Sequence, residues 1–280
     1  MTIQWFPGHM TKARREVESS LKLVDFVIEL VDARVPLSSQ NPMLQEIIQN
    51  KPKLTVLMKN DLADPQETEK WLTYFKRESL DVLAINANQD RDIKQLIQRV
   101  KEKGEEHRSG WQKKVDHQRA LRVMIIGVPN VGKSTLINRL ANKKIANIGD
   151  RPGITKHQAW IKVGSDFQLL DTPGILWPKF DDQLVGYRLA SIGTIKDRVL
   201  PLQDIAAFSI NYLLENYPDS LDERYSLDTT MEDMWDIFVH IGKNRGALES
   251  GGTVNFDQVA NLVLRDLRTG KLGKITLEKV

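Results

Sequence analysis

Residues Gly127-Val128-Pro129-Asn130-Val131-Gly132-Lys133-Ser134 fill every fixed position of the pattern G-x-x-x-x-G-K-[ST]. Their flanks give the pattern a structural context. Arg122 to Ile126 reads as a short buried strand, and Ser134 to Ala141 has the apolar spacing of a helix. A strand, a glycine-bearing turn and a helix start aim several backbone N–H groups and a positive helix end at one anion. This P-loop predicts a polyphosphate site formed by Pro129, Asn130, Val131, Gly132 and Thr135. In it Lys133 reaches the β- and γ-phosphates and the Ser134 hydroxyl ligates Mg²⁺.

The chain before this loop alternates strands with helices. Strands are expected at Phe26 to Val31, Lys53 to Met58 and Val82 to Ile85. Helices are expected at Thr11 to Leu23, Trp71 to Glu78 and Ile93 to Lys103. After the P-loop helix, two strands alternate in hydrophobicity, Gln158 to Val163 and Phe167 to Leu170. Such alternation predicts a mostly parallel sheet covered on both faces. The charged stretch from Lys101 to Arg122 reads as a helix end and a connector, either solvated or a basic contact surface. Past Trp177-Pro178 only helical spacing is evident, at Leu184 to Ile195, Ile205 to Tyr217, Met231 to Ile241 and Phe256 to Leu267. Gly246 to Gly252 reads as a flexible break. The expected division is a nucleotide-binding domain over residues 1–178 and a helical domain over 179–280.

In open parallel sheets, ligands bind at the carboxyl ends of the strands. Asp171-Thr172-Pro173-Gly174 ends one strand, so Asp171 is placed to hold the Mg²⁺ hydration shell and the Gly174 N–H to approach a γ-phosphate. Thr155, in the loop Arg151-Pro152-Gly153-Ile154-Thr155, is a candidate second Mg²⁺ ligand. Lys59-Asn60-Asp61 ends another strand. A carboxylate there can accept from guanine N1–H and N2–H₂, a pattern adenine lacks, while the Lys59 stem packs on the ring. Asn86-Ala87-Asn88 ends a third strand and offers the Ala87 N–H to guanine O6. An ATPase or small-molecule kinase would not need this guanine-reading set.

These are the motifs of Ras-like, translation-factor-class GTPases in permuted order, with the base-reading pair ahead of the P-loop. Trp5-Phe6-Pro7-Gly8-His9-Met10, Asp32-Ala33-Arg34-Val35-Pro36, Asn41-Pro42, Gly149 to Thr155 and Asp171 to Pro178 complete a resemblance to the YlqF family of ribosome-assembly GTPases. The resemblance covers essentially the whole chain. It implies a circularly permuted α/β GTPase domain followed by a small all-α, RNA-binding domain. It also implies GTP and GDP as ligands, GTP hydrolysis, and an immature large (50S) ribosomal subunit with its rRNA as partner. A nucleotide-dependent scaffold with little hydrolysis is the rival. One position departs: the family's Asn-Lys-x-Asp begins here with Met58, which cannot hydrogen-bond the base or brace the P-loop.

The resemblance carries two further expectations. Asn130 matches the asparagine with which potassium-activated members ligand K⁺. The glutamine that orients water in Ras-like proteins is replaced by Ile175, so a polar group must come from elsewhere. His9 is the first candidate catalytic residue and His157 the second.

Composition narrows the setting. Without cysteine, no disulfide partner or thiolate metal site is available. No apolar run approaches the ~18 residues of a membrane span, so a cytoplasmic location without a membrane partner is expected, and a monomer in solution is expected as well. Residues 1–178 carry 28 Lys and Arg against 21 Asp and Glu, and residues 179–280 carry 12 against 16. RNA contact by the acidic second part needs a local patch, expected at Arg265, Arg268, Lys271 and Lys274.

Overall fold

The computed structural model describes residues 10–48, 51–110, 120–142, 160–165, 167–177 and 180–280. His9, Thr155 and His157, the loop from Gly149 to Thr155, Pro178 and residues 111–119 of the connector lie outside the described residues.

Six strands form one sheet: β1 (Phe26–Asp32), β2 (Lys53–Met58), β3 (Val82–Ile85), β4 (Leu121–Gly127), β5 (Trp160–Val163) and β6 (Phe167–Asp171). Their spatial order is β3-β2-β1-β4-β6-β5, with every pairing parallel except β5 with β6. The interior strands are predominantly apolar because helices cover both faces, and buried Glu29 within β1 is paired with Lys53 of β2. The edge strand β5 instead alternates exposed and buried residues. The P-loop strand β4 lies at the centre between β1 and β6, as the permuted order requires. In chain order, the strands bearing the base-reading loops precede it and the Asp171 strand follows.

The covering helices are α1 (Met10–Leu21), α2 (Pro42–Ile48), α3 (Pro65–Arg77), α4 (Asp90–Gly110) and α5 (Lys133–Leu140). Two sequence expectations need correction here, and one helix was not expected at all. Helix α3 starts six residues before Trp71, because Pro65 occupies its first turn and Asp64 caps it by accepting from the Gln66 and Glu67 N–H groups. Helix α4 runs to Gly110, well into the stretch read as a connector. The seven-residue α2 carries too little periodic signal to be read from the sequence at all.

The remaining helices are α6 (Gln183–Ser191), α7 (Leu202–Asn216), α8 (Pro218–Tyr225), α9 (Met234–Arg245) and α10 (Phe256–Arg268), with one 3-10 turn at Asp197–Val199. Helix α10 places Val259, Ala260, Val263, Leu264 and Leu267 on a buried face, which packs against α7. Gly246 to Gly252 is a tight reversal rather than a loose break. Leu248 and Val254 pair across it, and the Gly252 N–H donates to the Glu249 carbonyl (3.0 Å).

Residues 270–280 then return to the sheet end of the molecule. The Ile275 N–H donates to the Leu62 carbonyl (3.0 Å) and the Leu277 N–H to the Arg34 carbonyl (2.8 Å). Buried Glu278 accepts from the Leu37 and Ser38 N–H groups (2.7 and 2.9 Å), the Ser38 hydroxyl (2.6 Å) and Arg188 (3.1 Å). The Trp71 indole donates to its carbonyl (2.8 Å). Glu278→Ala would strand several buried donors, and hydrogen bonds to a charged group contribute about 1.5–3 kcal/mol each. We expect a loss of about 2–3 kcal/mol in urea denaturation. An unchanged midpoint would show that this strap adds nothing to stability.

Candidate nucleotide site

Strand β4 ends at Gly127, and the chain turns through Val128, Pro129 and Asn130 before α5 begins at Lys133. Gly132 precedes the helix with φ at +106°, a conformation that favours glycine. Ser134 and Thr135 fall in the first turn of α5 and are partly exposed. Lys133 lies beside the strand-ending carboxylate of Asp171 and donates to it. The sheet therefore brings together the two groups that the sequence assigned to phosphate and Mg²⁺.

Next to Asp171, the loop is fixed at several points. The Thr172 hydroxyl donates to the Ile125 carbonyl (2.6 Å), and the Ile175 N–H donates to the Gly127 carbonyl (3.1 Å). The Asn41 side chain donates to the Ile175 carbonyl (3.0 Å) from across the molecule. Gly174 faces the P-loop backbone, where an added Cβ would stand 3.0 Å from Pro129 Cα. The side chain of Ile175 is buried with Val17 and Leu21 of α1 and Leu44 and Ile48 of α2. Residue 175 thus presents no polar group to the pocket, as the sequence implied.

The base-reading loops converge on the same corner. Lys59 adopts φ +60°, and its Nζ donates to the Asn130 carbonyl of the P-loop (2.7 Å). The Asn60 N–H bonds the Ile85 carbonyl at 3.4 Å, joining the loop to the end of β3. Asp61 is exposed. The Asn86 N–H donates to Asp92 (2.7 Å) and the Asn88 N–H to the Asn86 side chain (2.9 Å). Arg139 of α5 donates to the Ala87 carbonyl (3.1 Å), tying this loop to the P-loop helix. Met58 is buried, with its terminal methyl 3.2 Å from where a Gly132 Cβ would lie. An apolar contact with the P-loop therefore stands where the family has a polar brace.

Behind Lys59 lies an ion-pair cluster that the sequence marked only as part of a resemblance. Asp32, buried, accepts from Arg34 Nε (2.9 Å) and Nη2 (2.8 Å) and lies 3.1 Å from Lys59 Nζ. Burial alone would raise the Asp32 carboxyl, but Arg34 and Lys59 outweigh it and hold it well below the usual carboxylate range. Burial also pushes the Lys59 ammonium down, partly offset by Asp32. A short Asp-x-Arg motif ending a buried strand was the available signal for this cluster.

For Mg²⁺, the Ser134 hydroxyl and Asp171 carboxylate supply hard oxygen donors. Among the described residues no group of three His, Cys, Asp or Glu gathers around a common point. For K⁺, the Asn130 Nδ2 donates to the Gly193 carbonyl (2.8 Å), leaving its amide oxygen as the side-chain atom able to face an ion. In the expected RNA patch, Arg265, Lys271 and Lys274 are exposed. Arg268 is not free: it donates to the Ala190 and Ser191 carbonyls and pairs with Asp197.

The matching family model is described as 50S ribosome-binding GTPase and covers residues 122–235, starting at the P-loop strand. Ribosome biogenesis GTPase A of Priestia megaterium is 54% identical over 279 residues, covering 99% of this chain and 97% of the relative. Mitochondrial ribosome-associated GTPase 1 of Bos taurus is 35% identical, covering 99% and 88%. The GNP-bound crystal structure of YlqF from T. maritima matches with a TM-score of 0.68 at 25% identity, covering 96% of this chain and 98% of that one.

Proposed function

Because the chain belongs to the ribosome biogenesis GTPase A (YlqF) family, we propose that it is a GTPase that binds the immature large ribosomal subunit and acts late in its assembly. The observation that carries this reading is the convergence of Lys133, Asp171, Gly174 and the Lys59–Asp61 loop on one P-loop turn. In this reading Lys133 leaves Asp171 for the phosphates, and the Gly174 N–H meets the γ-phosphate. Mg²⁺, held by Ser134 and Asp171 with Thr155, would neutralise charge developing on the phosphates. K⁺ beside Asn130 would add to that neutralisation.

His9 is our candidate for orienting the attacking water. Helix α1, the next element along the chain, packs on Ile175 next to Gly174 through Val17 and Leu21. Residues 179–280 would contact rRNA, with Arg265, Lys271 and Lys274 as the exposed basic groups. The protein would work as a monomer in the cytoplasm. Among the described residues no helix is long and apolar enough to cross a membrane.

The test is GTP turnover by the full chain with and without purified large-subunit precursor, in KCl and in NaCl at equal ionic strength. Turnover that rises with precursor and with KCl is expected. Nucleotide-dependent subunit binding without hydrolysis would favour the scaffold reading. His9→Ala should lower the stimulated rate on the order of 10²-fold, the lower range for general acid–base catalysis, with GTP and subunit binding kept. Loss of subunit binding instead would place His9 on the docking surface.

A further inference from the structure

Asn130 is where the helical region touches the P-loop, and it is held from two sides. Its side-chain Nδ2 donates to the Gly193 carbonyl (2.8 Å), and its own carbonyl accepts from Lys59 Nζ (2.7 Å). Its φ of +59° is one that asparagine tolerates better than most residues. Each of the two contacts begins a path into the molecule.

From Lys59 the path runs to Asp32 (3.1 Å) and on to Arg34, which grips Asp32 with two nitrogens. Arg34 meets the C-terminal part twice. Its Nη1 donates to the Arg268 carbonyl (3.5 Å), and its carbonyl accepts from the Leu277 N–H (2.8 Å). The Arg268 side chain then donates to the Ala190 carbonyl (2.8 Å) and the Ser191 carbonyl (3.0 Å), while both Nη atoms bond Asp197 at 2.8 Å. Gly193 closes the end of this helix, with its N–H on the same Ala190 carbonyl (3.0 Å). A Cβ on Gly193 would stand 3.2 Å from Arg268 Nε, so the turn and the guanidinium are in close contact. The Gly193 carbonyl returns the path to Asn130.

We propose that Arg268 is a positioning residue for the nucleotide, setting the P-loop turn at Asn130 through this closed ring. Arg268 touches no P-loop atom itself. A disturbance at one end of an open chain of contacts can relax before reaching the other end. Here both ends meet on one residue of the phosphate-binding turn: the Arg268 guanidinium reaches the Asn130 side chain by way of the Ala190–Gly193 turn, and the Arg268 carbonyl reaches the Asn130 carbonyl by way of Arg34, Asp32 and Lys59. Coupling is reciprocal. A partner that draws Arg268 away from Ala190 and Ser191 would loosen the nucleotide, and bound nucleotide would resist that movement. This inference rests on the reading of the P-loop as the GTP site.

A double-mutant cycle on the full chain tests it, read as the dissociation rate of a fluorescent GDP analogue. Asn130→Gly removes the side-chain bond while tolerating the positive φ, and Arg268→Gln removes the guanidinium. Each should speed dissociation roughly threefold to tenfold, the range of one or two ordinary hydrogen bonds. The double variant should be little faster than the faster single one. Arg224→Gln serves as the control, since its partner Asp266 lies outside the ring, and it should leave the rate unchanged in either background. Arg268→Lys should restore part of the parent rate. If Arg268→Gln does not fold, Asp197→Asn loosens the same guanidinium from a half-exposed site and should still speed release without lowering the melting temperature. Single effects that multiply in the double variant, or an Arg268→Gln rate equal to the parent, would overturn the coupling alone. A parent that fails to bind GDP would overturn the nucleotide reading and the coupling with it.

Discussion

Asp61→Asn should convert the protein from a guanine to a xanthine nucleotide binder. Asp61 stands exposed at the end of β2, on a loop pinned to the P-loop by Lys59 and to β3 through the Asn60 N–H. Its carboxylate offers two acceptors to guanine N1–H and N2–H₂, and charge-assisted bonds of this kind are the stronger sort. An asparagine there offers one acceptor and turns an N–H₂ towards another N–H₂. Losing one partner of a desolvated charged hydrogen-bond pair costs about 2–5 kcal/mol. GDP affinity should therefore fall roughly 10²- to 10³-fold, at about 1.4 kcal/mol per factor of ten. Xanthine carries a carbonyl at C2, which the new amide can meet, so affinity for the xanthine diphosphate should rise. Competition binding with GDP, the xanthine analogue and ADP reads all three. A parent that binds ADP as well as GDP would sink the assignment, as would a variant with no gain for xanthine.

The same corner shows what the sequence could and could not convey. Met58 in place of the family's asparagine implied a weakened brace between the base-reading loop and the P-loop. The structure places an apolar contact there, the Met58 methyl against Gly132, and a polar one beside it from Lys59 to the Asn130 carbonyl. Met58→Asn would bury a polar amide at a site packed for a thioether, a cost that opposes whatever GTP affinity the family's asparagine would restore.

Strands β1, β2 and β4 were legible because a strand buried on both faces is predominantly apolar, and Phe26 to Val31 and Arg122 to Ile126 satisfy that locally apart from Glu29 and Arg122. The P-loop and the Asp171 turn were legible because phosphate and Mg²⁺ chemistry fixes residue types at short spacing. Their order along the chain was enough to imply the permutation. What stayed hidden depends on distant parts of the chain. Glu278 acts on Leu37 and Ser38, and Asn41 on Ile175, through contacts no local pattern encodes. Arg268 illustrates the cost of reading charge without partners. On a helix it looked like a solvated, RNA-facing group, yet Ala190, Ser191 and Asp197 already occupy it.

Gly174→Ala should cut GTP hydrolysis on the order of 10²- to 10³-fold, the range for misplacing one preorganised backbone donor. The position has no positive φ to defend, so alanine fits its backbone conformation. The obstacle is what the methyl meets. It would stand 3.0 Å from Pro129 Cα and 3.1 Å from Pro129 N, backbone atoms of the P-loop that cannot rotate aside. Nor can the Gly174 loop withdraw easily. Thr172 is bonded to Ile125 on one side, and Ile175 to Gly127 and Asn41 on the other. The Ile175 side chain is buried among α1 and α2 as well. Strain is therefore taken up in the gap between residue 174 and the P-loop, where the Gly174 N–H has to reach a γ-phosphate. GDP lacks that phosphate, so its binding should change far less than that of a non-hydrolysable GTP analogue. Single-turnover hydrolysis, binding of both nucleotides and a thermal melt separate the cases. Hydrolysis at the parent rate would show that the P-loop yields to the methyl. Equal loss of GDP and GTP binding with a lowered melting temperature would reduce Gly174 to a packing role.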